Sequence, residues 1–128
     1  MCPPDASQNV TCEYPSEPPA LPLVRNQVDE LLEASTAGRE KRWDIRLAVT
    51  EACSNVIRHA YPASGGTFQV STELTHSGLG VTVRDAGRGT VGRIVPRVGL
   101  VLAYEASDDL VLEDARPGLI VRMSFSVR

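Results

Sequence analysis

The stretch from Glu40 to His59 constrains this chain more than any other feature. Ile45, Ala48, Val49, Ala52, Cys53, Val56, Ile57 and Ala60 recur at helical spacing and form one broad apolar face, and Pro62 stops the pattern. A helix with so wide an apolar face takes most of its stability from a second layer packed against it. The flanking sequence must supply that layer.

It does so with strands. After Ser64-Gly65-Gly66, two alternating runs, Thr67 to Leu74 and Leu79 to Arg84, are joined by His76-Ser77-Gly78 as a hairpin. Asp85-Ala86-Gly87-Arg88-Gly89 follows as a glycine-punctuated turn, then a loop and a short helix from Gly99 to Ala106. Leu110 to Leu112 and Leu119 to Phe125 read as two closing strands, with Arg116-Pro117-Gly118 turning between them. Ahead of the long helix, Val24, Val28, Leu31 and Leu32 form the stripe of an earlier helix, with Pro22 in its first turn and an end expected near Gly38. Val10 to Tyr14 adds a short edge strand. The order of helices, hairpin, helix and hairpin predicts an α/β (α+β) two-layer sandwich, with a mixed, mostly antiparallel sheet and helices on one face.

With 128 residues, 42% of them hydrophobic, the chain has material for one core. The expected organisation is a loose polar tail over 1–8 and a single domain over 9–128. The net charge is −3, and the basic cluster of Arg39, Lys41, Arg42 and Arg46 is interrupted by Glu40 and Asp44, so it reads as a solvated helix face and not a nucleic-acid surface. No apolar run approaches the roughly 20 residues of a membrane helix, and residues 1–8 lack the pattern of a secretory signal. A cytoplasmic location is the expectation. Cys2, Cys12 and Cys53 have no metal-ligand spacing and are expected as free thiols, Cys53 buried among apolar helix positions.

The chemistry concentrates in two places. Glu51, Asn55 and His59, four residues apart, place a polar stripe beside the apolar face of the long helix. Such a stripe alone is also what the wet side of any amphipathic helix looks like. The second place is the Asp85 to Gly89 turn, where glycines let backbone approach a ligand and an aspartate can accept a hydrogen bond. Each piece arises readily by chance, whereas the ordered set of helix stripe, hairpin and turn does not.

On these residues the chain resembles the histidine-kinase-like ATPase superfamily and, within it, the anti-sigma-factor serine kinases of bacterial stress and sporulation control. Glu51-Ala52-Cys53-Ser54-Asn55-Val56-Ile57-Arg58-His59-Ala60-Tyr61 is similar to that family's N box, and Asp85 to Gly89 to its first glycine box. Gly99-Leu100-Val101-Leu102 resembles the second glycine box. The resemblance implies the Bergerat fold, with ATP and Mg2+ as cofactors. It implies Asn55 as the magnesium ligand, Glu51 as general base toward a serine hydroxyl, and Asp85 as acceptor for the adenine amino group. Gly87 and Gly89 would leave room for base and ribose, and Gly99 and Leu100 would open a helix whose amides face the phosphates. His59 has two readings, a nucleotide contact or a helix-end histidine, and Arg25 two as well, a partner contact or an ordinary exposed arginine. The implied role is transcription regulation by a cytoplasmic homodimer that sequesters a sigma factor. An anti-anti-sigma protein of the STAS type, phosphorylated on serine, would be the second partner.

The chain departs from the family pattern on the phosphate side. Arg97-Val98-Gly99-Leu100 stands where G-x-G-L is usual, so Arg97 either contacts phosphate as a charged donor or blocks the backbone approach that glycine permits. The lid from Thr90 to Val98 is short, and Pro117-Gly118-Leu119 replaces G-G-T, which removes a hydroxyl. Two functions follow: an active serine kinase that also binds a sigma factor, or a weak or inactive ATPase-fold module that works by protein binding alone. No phosphoacceptor helix pair precedes the domain, which argues against a two-component histidine kinase.

Overall fold

The computed structural model describes residues 9–61, 65–87 and 98–127. In chain order its elements are β1 (Asn9–Pro15), α1 (Ala20–Leu32), α2 (Arg39–His59), β2 (Thr67–Leu74), β3 (Gly78–Asp85), α3 (Val98–Ala106), β4 (Asp109–Asp114) and β5 (Leu119–Ser126). The strands form one sheet in the order β1-β2-β3-β5-β4. Every described pairing is antiparallel, so the sheet is simpler than the mixed one expected. The reason is visible at β1, where Pro15 pairs with Thr67: the excursion through two helices returns the chain to the end of the sheet it left, and β2 then runs back along β1.

One sheet face carries the core. Tyr14, Phe68, Val70, Val81, Val83, Val121 and Phe125 alternate inward and are buried, while Gln69, Arg84, Arg122 and Ser124 alternate outward into solvent. The helices cover the inner face with Val24, Val28 and Leu32 from α1 and Ile45, Val49, Ala52 and Val56 from α2. These are the apolar positions of the sequence pattern, which places both helices as expected.

Two polar devices fix α1, and neither is visible in periodicity. The helix ends at Leu32, well short of Gly38, because the Leu32 carbonyl is taken by the Arg42 guanidinium at 3.0 Å and the Ser35 hydroxyl at 2.7 Å. A cation at a helix C-terminus satisfies an orphan carbonyl and meets the negative end of the dipole. Arg42 thus leaves the solvated cluster in which the sequence placed it. Lys41 and Arg46 pair with Asp108 at 3.8 Å and Asp29 at 3.7 Å, part-exposed contacts of little worth to stability. The second device is Gln27, buried on α1. Its Oε1 accepts from the Tyr14 hydroxyl at 2.5 Å, and its Nε2 donates to the Val70 carbonyl at 3.0 Å, bolting α1 to β1 and β2.

The cysteines divide. Cys53 is a free, fully buried thiol whose ionisation burial pushes far up. Cys12 is disulfide-bonded, which corrects the expectation of free thiols at that position. Cys spacing alone cannot reveal which thiols the fold brings together. The tail over 1–8 lies outside the described residues.

Candidate functional site

The β3 strand delivers Asp85 to the end of the sheet beside the start of β2, where Phe68 pairs with it. Asp85 faces inward and is 4% exposed. Its Oδ1 accepts the Gly87 N–H at 2.9 Å, and the Leu119 N–H from the start of β5 reaches the same carboxylate. Burial pushes its pKa above the ordinary carboxylate range, with those two amides pulling the other way. Among the described residues the result is an inward carboxylate held by main chain alone, with acceptor capacity left over.

The turn after Asp85 is wedged against α2. A Cβ on Gly87 would overlap the Ala60 carbonyl, so the backbone approach that the glycine suggested is made, in this structure, to the end of α2. Leu119 replaces a hydroxyl-bearing residue of the family pattern, yet its amide serves Asp85 while its side chain packs in the core.

On α2 the stripe reads from solvent toward core. Glu51 and His59 are half-buried, and Asn55 between them is 3% exposed. Among the described residues nothing hydrogen-bonds the Asn55 side-chain amide. α3 packs on α2, with Gly99 in its first turn and Leu100 buried behind it. Asn55 thus lies in the C-terminal half of α2, Gly87 packs against Ala60 at the end of that helix, and α3 packs along it.

Arg25 does not join them. It lies half-buried in a small groove of about 160 Å³ between α1 and the N-terminal half of α2, with Trp43, Arg46, Leu47 and Thr50. A larger cavity of about 680 Å³, lined by Ser35, Thr36, Leu74 and His76 among others, lies at the end of the sheet opposite Asp85. Gly89, Arg97 and most of the lid lie outside the described residues.

Two contributors to the site carry no clear signal in the sequence. Gly118 packs against the Asp85 main chain, signalled only by a glycine between a turn proline and a strand. Tyr61, part of the N box with no role that the motif assigns, accepts the Ala86 N–H at 3.1 Å through its hydroxyl.

Comparison with known proteins decides the family. The model of the histidine kinase-like ATPase domain matches residues 14–125, from β1 to β5 and so across the whole of this arrangement. The chain belongs to the histidine kinase-like ATPase domain family. Among curated proteins, this ATPase domain is similar to the serine-protein kinase RsbW of Bacillus licheniformis, 26% identical over 84 residues, which are 64% of this chain and 52% of that protein. It is also similar to the serine-protein kinase RsbW of Halalkalibacterium halodurans, 44% identical over 45 residues, 35% of this chain and 27% of that protein. The chain thus spans about half of the first relative's length and less of the second's. Among solved structures, the RsbU and RsbW domains of Rv1364c from Mycobacterium tuberculosis superpose with a TM-score of 0.72 at 20% identity, over 91% of this chain and 32% of that one. That likeness establishes the fold, and the family match establishes the ATPase-domain family. No helix among the described residues is long and apolar enough to cross a membrane.

Proposed function

We propose that this domain binds ATP with Mg2+ and acts as a serine kinase and anti-sigma factor, sequestering a sigma factor and phosphorylating an anti-anti-sigma protein. The observation that carries the reading is Asp85: an inward carboxylate held by two backbone amides at a strand end, a constellation built to receive a donor such as the adenine amino group.

The residues fit a metal-bound nucleotide. Asn55 offers a neutral oxygen that no described neighbour uses, and Mg2+ is commonly held by one or two protein oxygens together with phosphates and water. When bound, the metal would neutralise charge on the transferring phosphoryl group. Glu51, one turn before Asn55 on the same helix, would accept the proton of a serine hydroxyl as its oxygen attacks the γ-phosphorus and ADP leaves. The first-turn amides of α3 would favour the phosphate charge. Arg25 belongs to a different surface, with the exposed Trp43, which suits contact with a protein partner. Homodimerisation, a cytoplasmic location and a place in stress or sporulation control belong to the same reading.

Calorimetric titration with ATP and Mg2+ tests it. Micromolar binding that Asn55→Ala abolishes is the expected result. A wild-type chain that takes up no nucleotide would favour the second reading, a module that regulates by protein binding on an ATPase fold.

A further inference from the structure

Tyr61 lies two residues beyond α2 and is tied to the start of β2 and to the turn after β3. Its hydroxyl donates to the carbonyl of Thr67, the first residue of β2, at 2.5 Å, and accepts the backbone N–H of Ala86 at 3.1 Å. One phenol proton and one lone pair are thereby both used. The ring is confined as well, because a Cβ on Gly66 would collide with it. Ala86 separates Asp85 from Gly87, the residue whose amide holds Asp85 Oδ1. Tyr61 therefore grips the middle of the turn that sets the carboxylate, and it does so from a ring whose own position Gly66 and Thr67, at the start of β2, define.

We propose that Tyr61 is a positioning residue for base recognition: its hydroxyl fixes the Asp85-Ala86-Gly87 turn, and so fixes where the Asp85 carboxylate meets the base. The proposal rests on the nucleotide reading above and assigns Tyr61 no contact with the nucleotide. Its effect falls on specificity for a chemical reason. Adenine presents an amino donor where guanine presents a carbonyl acceptor, and an ionised carboxylate only accepts. Such a site attracts the first base and repels the second only while the carboxylate is held in place. A turn free to shift loses the hydrogen bond and relaxes the repulsion together.

The test is calorimetric titration of the full chain with Mg·ATP and with Mg·GTP, for wild type, Tyr61→Phe and Gly66→Ala. Loss of one positioning hydrogen bond should weaken ATP binding about fivefold to tenfold in Tyr61→Phe, with GTP affinity unchanged or improved, so the preference for ATP falls at least as far. Gly66→Ala keeps the hydroxyl but displaces the ring, and should lower the preference in the same direction. A tyrosine that merely supports the fold would lower the melting temperature and leave the ATP-to-GTP ratio at the wild-type value. That result, in whichever variant folds, overturns the proposal. A wild-type chain that binds neither nucleotide overturns the nucleotide reading, and the role of Tyr61 with it, before any variant is compared.

Discussion

Gly118 sits so close to the main chain of Asp85 that a Cβ on it would overlap the Asp85 carbonyl oxygen. Its φ of +101° independently demands glycine. The two constraints coincide where β5 begins, and the next amide, that of Leu119, reaches the Asp85 carboxylate. The turn between β4 and β5 is thus the floor on which Asp85 stands.

Gly118→Ala should therefore injure both fold and site. Left-handed backbone costs a residue with a Cβ about 1–2 kcal/mol, and the clash adds to it. The expected outcome is a melting temperature lower by about 5 °C or more. Displacement of Asp85 should also weaken ATP binding by about tenfold, an effect of one lost charged hydrogen bond. Scanning calorimetry and titration on the same preparation check the pair, and full affinity at a lowered melting temperature would separate the turn from the site.

Gln27 makes a prediction about stability alone. Gln27→Ala removes its hydrogen bonds to the buried Tyr14 hydroxyl and the Val70 carbonyl, which should cost about 2–4 kcal/mol in urea denaturation. Burial already pushes the Tyr14 phenol up to about 12, so it cannot relieve the loss by ionising near neutral pH. Tyr14→Phe combined with Gln27→Leu should recover part of that cost, because both ends of one bond are then apolar. A double variant as unstable as the sum of its parts would mean that the pair is not coupled.

Asp85 predicts a pH dependence. In the unfolded chain it ionises in the ordinary carboxylate range, and in the fold burial delays ionisation to higher pH. Between those two values the folded chain holds the extra proton. The Asp85 contribution to stability is therefore greatest in acid, falls as pH rises through that window, and is constant above it. Asp85→Asn has no such ionisation. Its melting temperature relative to wild type should improve from about pH 4 upward and then level off, while its ATP affinity falls. A difference that does not change with pH would show that the carboxylate ionises as freely in the fold as outside it.

Glu51→Ala should remove phosphoryl transfer to an anti-anti-sigma protein, by roughly 10²- to 10⁴-fold in rate, while sigma binding stays nearly intact. The side chain is half-buried on α2 and does not line the groove that holds Arg25, whose α2 residues are Trp43, Arg46, Leu47 and Thr50, so a general base can be lost with those contacts kept. Parallel assays of radiolabelled phosphate transfer and of sigma capture distinguish the roles. Equal loss of both would remove Glu51 from the chemistry.

Much of this architecture is legible in the residue pattern alone. Val24, Val28, Ile45, Val49 and Val56 announce the two covering helices by their spacing, and the alternation over Thr67–Leu74 marks the strand that the fold contains. The end of α1 is not legible, because Arg42, ten residues away, closes it, and neither is the state of Cys12, since pairing depends on which chain segments meet. The polar stripe of Asn55 is visible as spacing. Its burial without a described partner is not, because a helical wheel does not say how deep a face lies.

What the sequence by itself determined is therefore what local periodicity and turn chemistry encode: the elements, their inward faces, the family motif and the residues it carries. What only the tertiary structure decided is how distant backbone groups converge on Asp85. The Leu119 amide and the Gly118 main chain come from the start of β5 and the Tyr61 hydroxyl from just beyond the end of α2, and their contacts are set by strand pairing and helix packing. Backbone donors carry no side-chain signature, so a site assembled from them is written in the fold and not in the residue types.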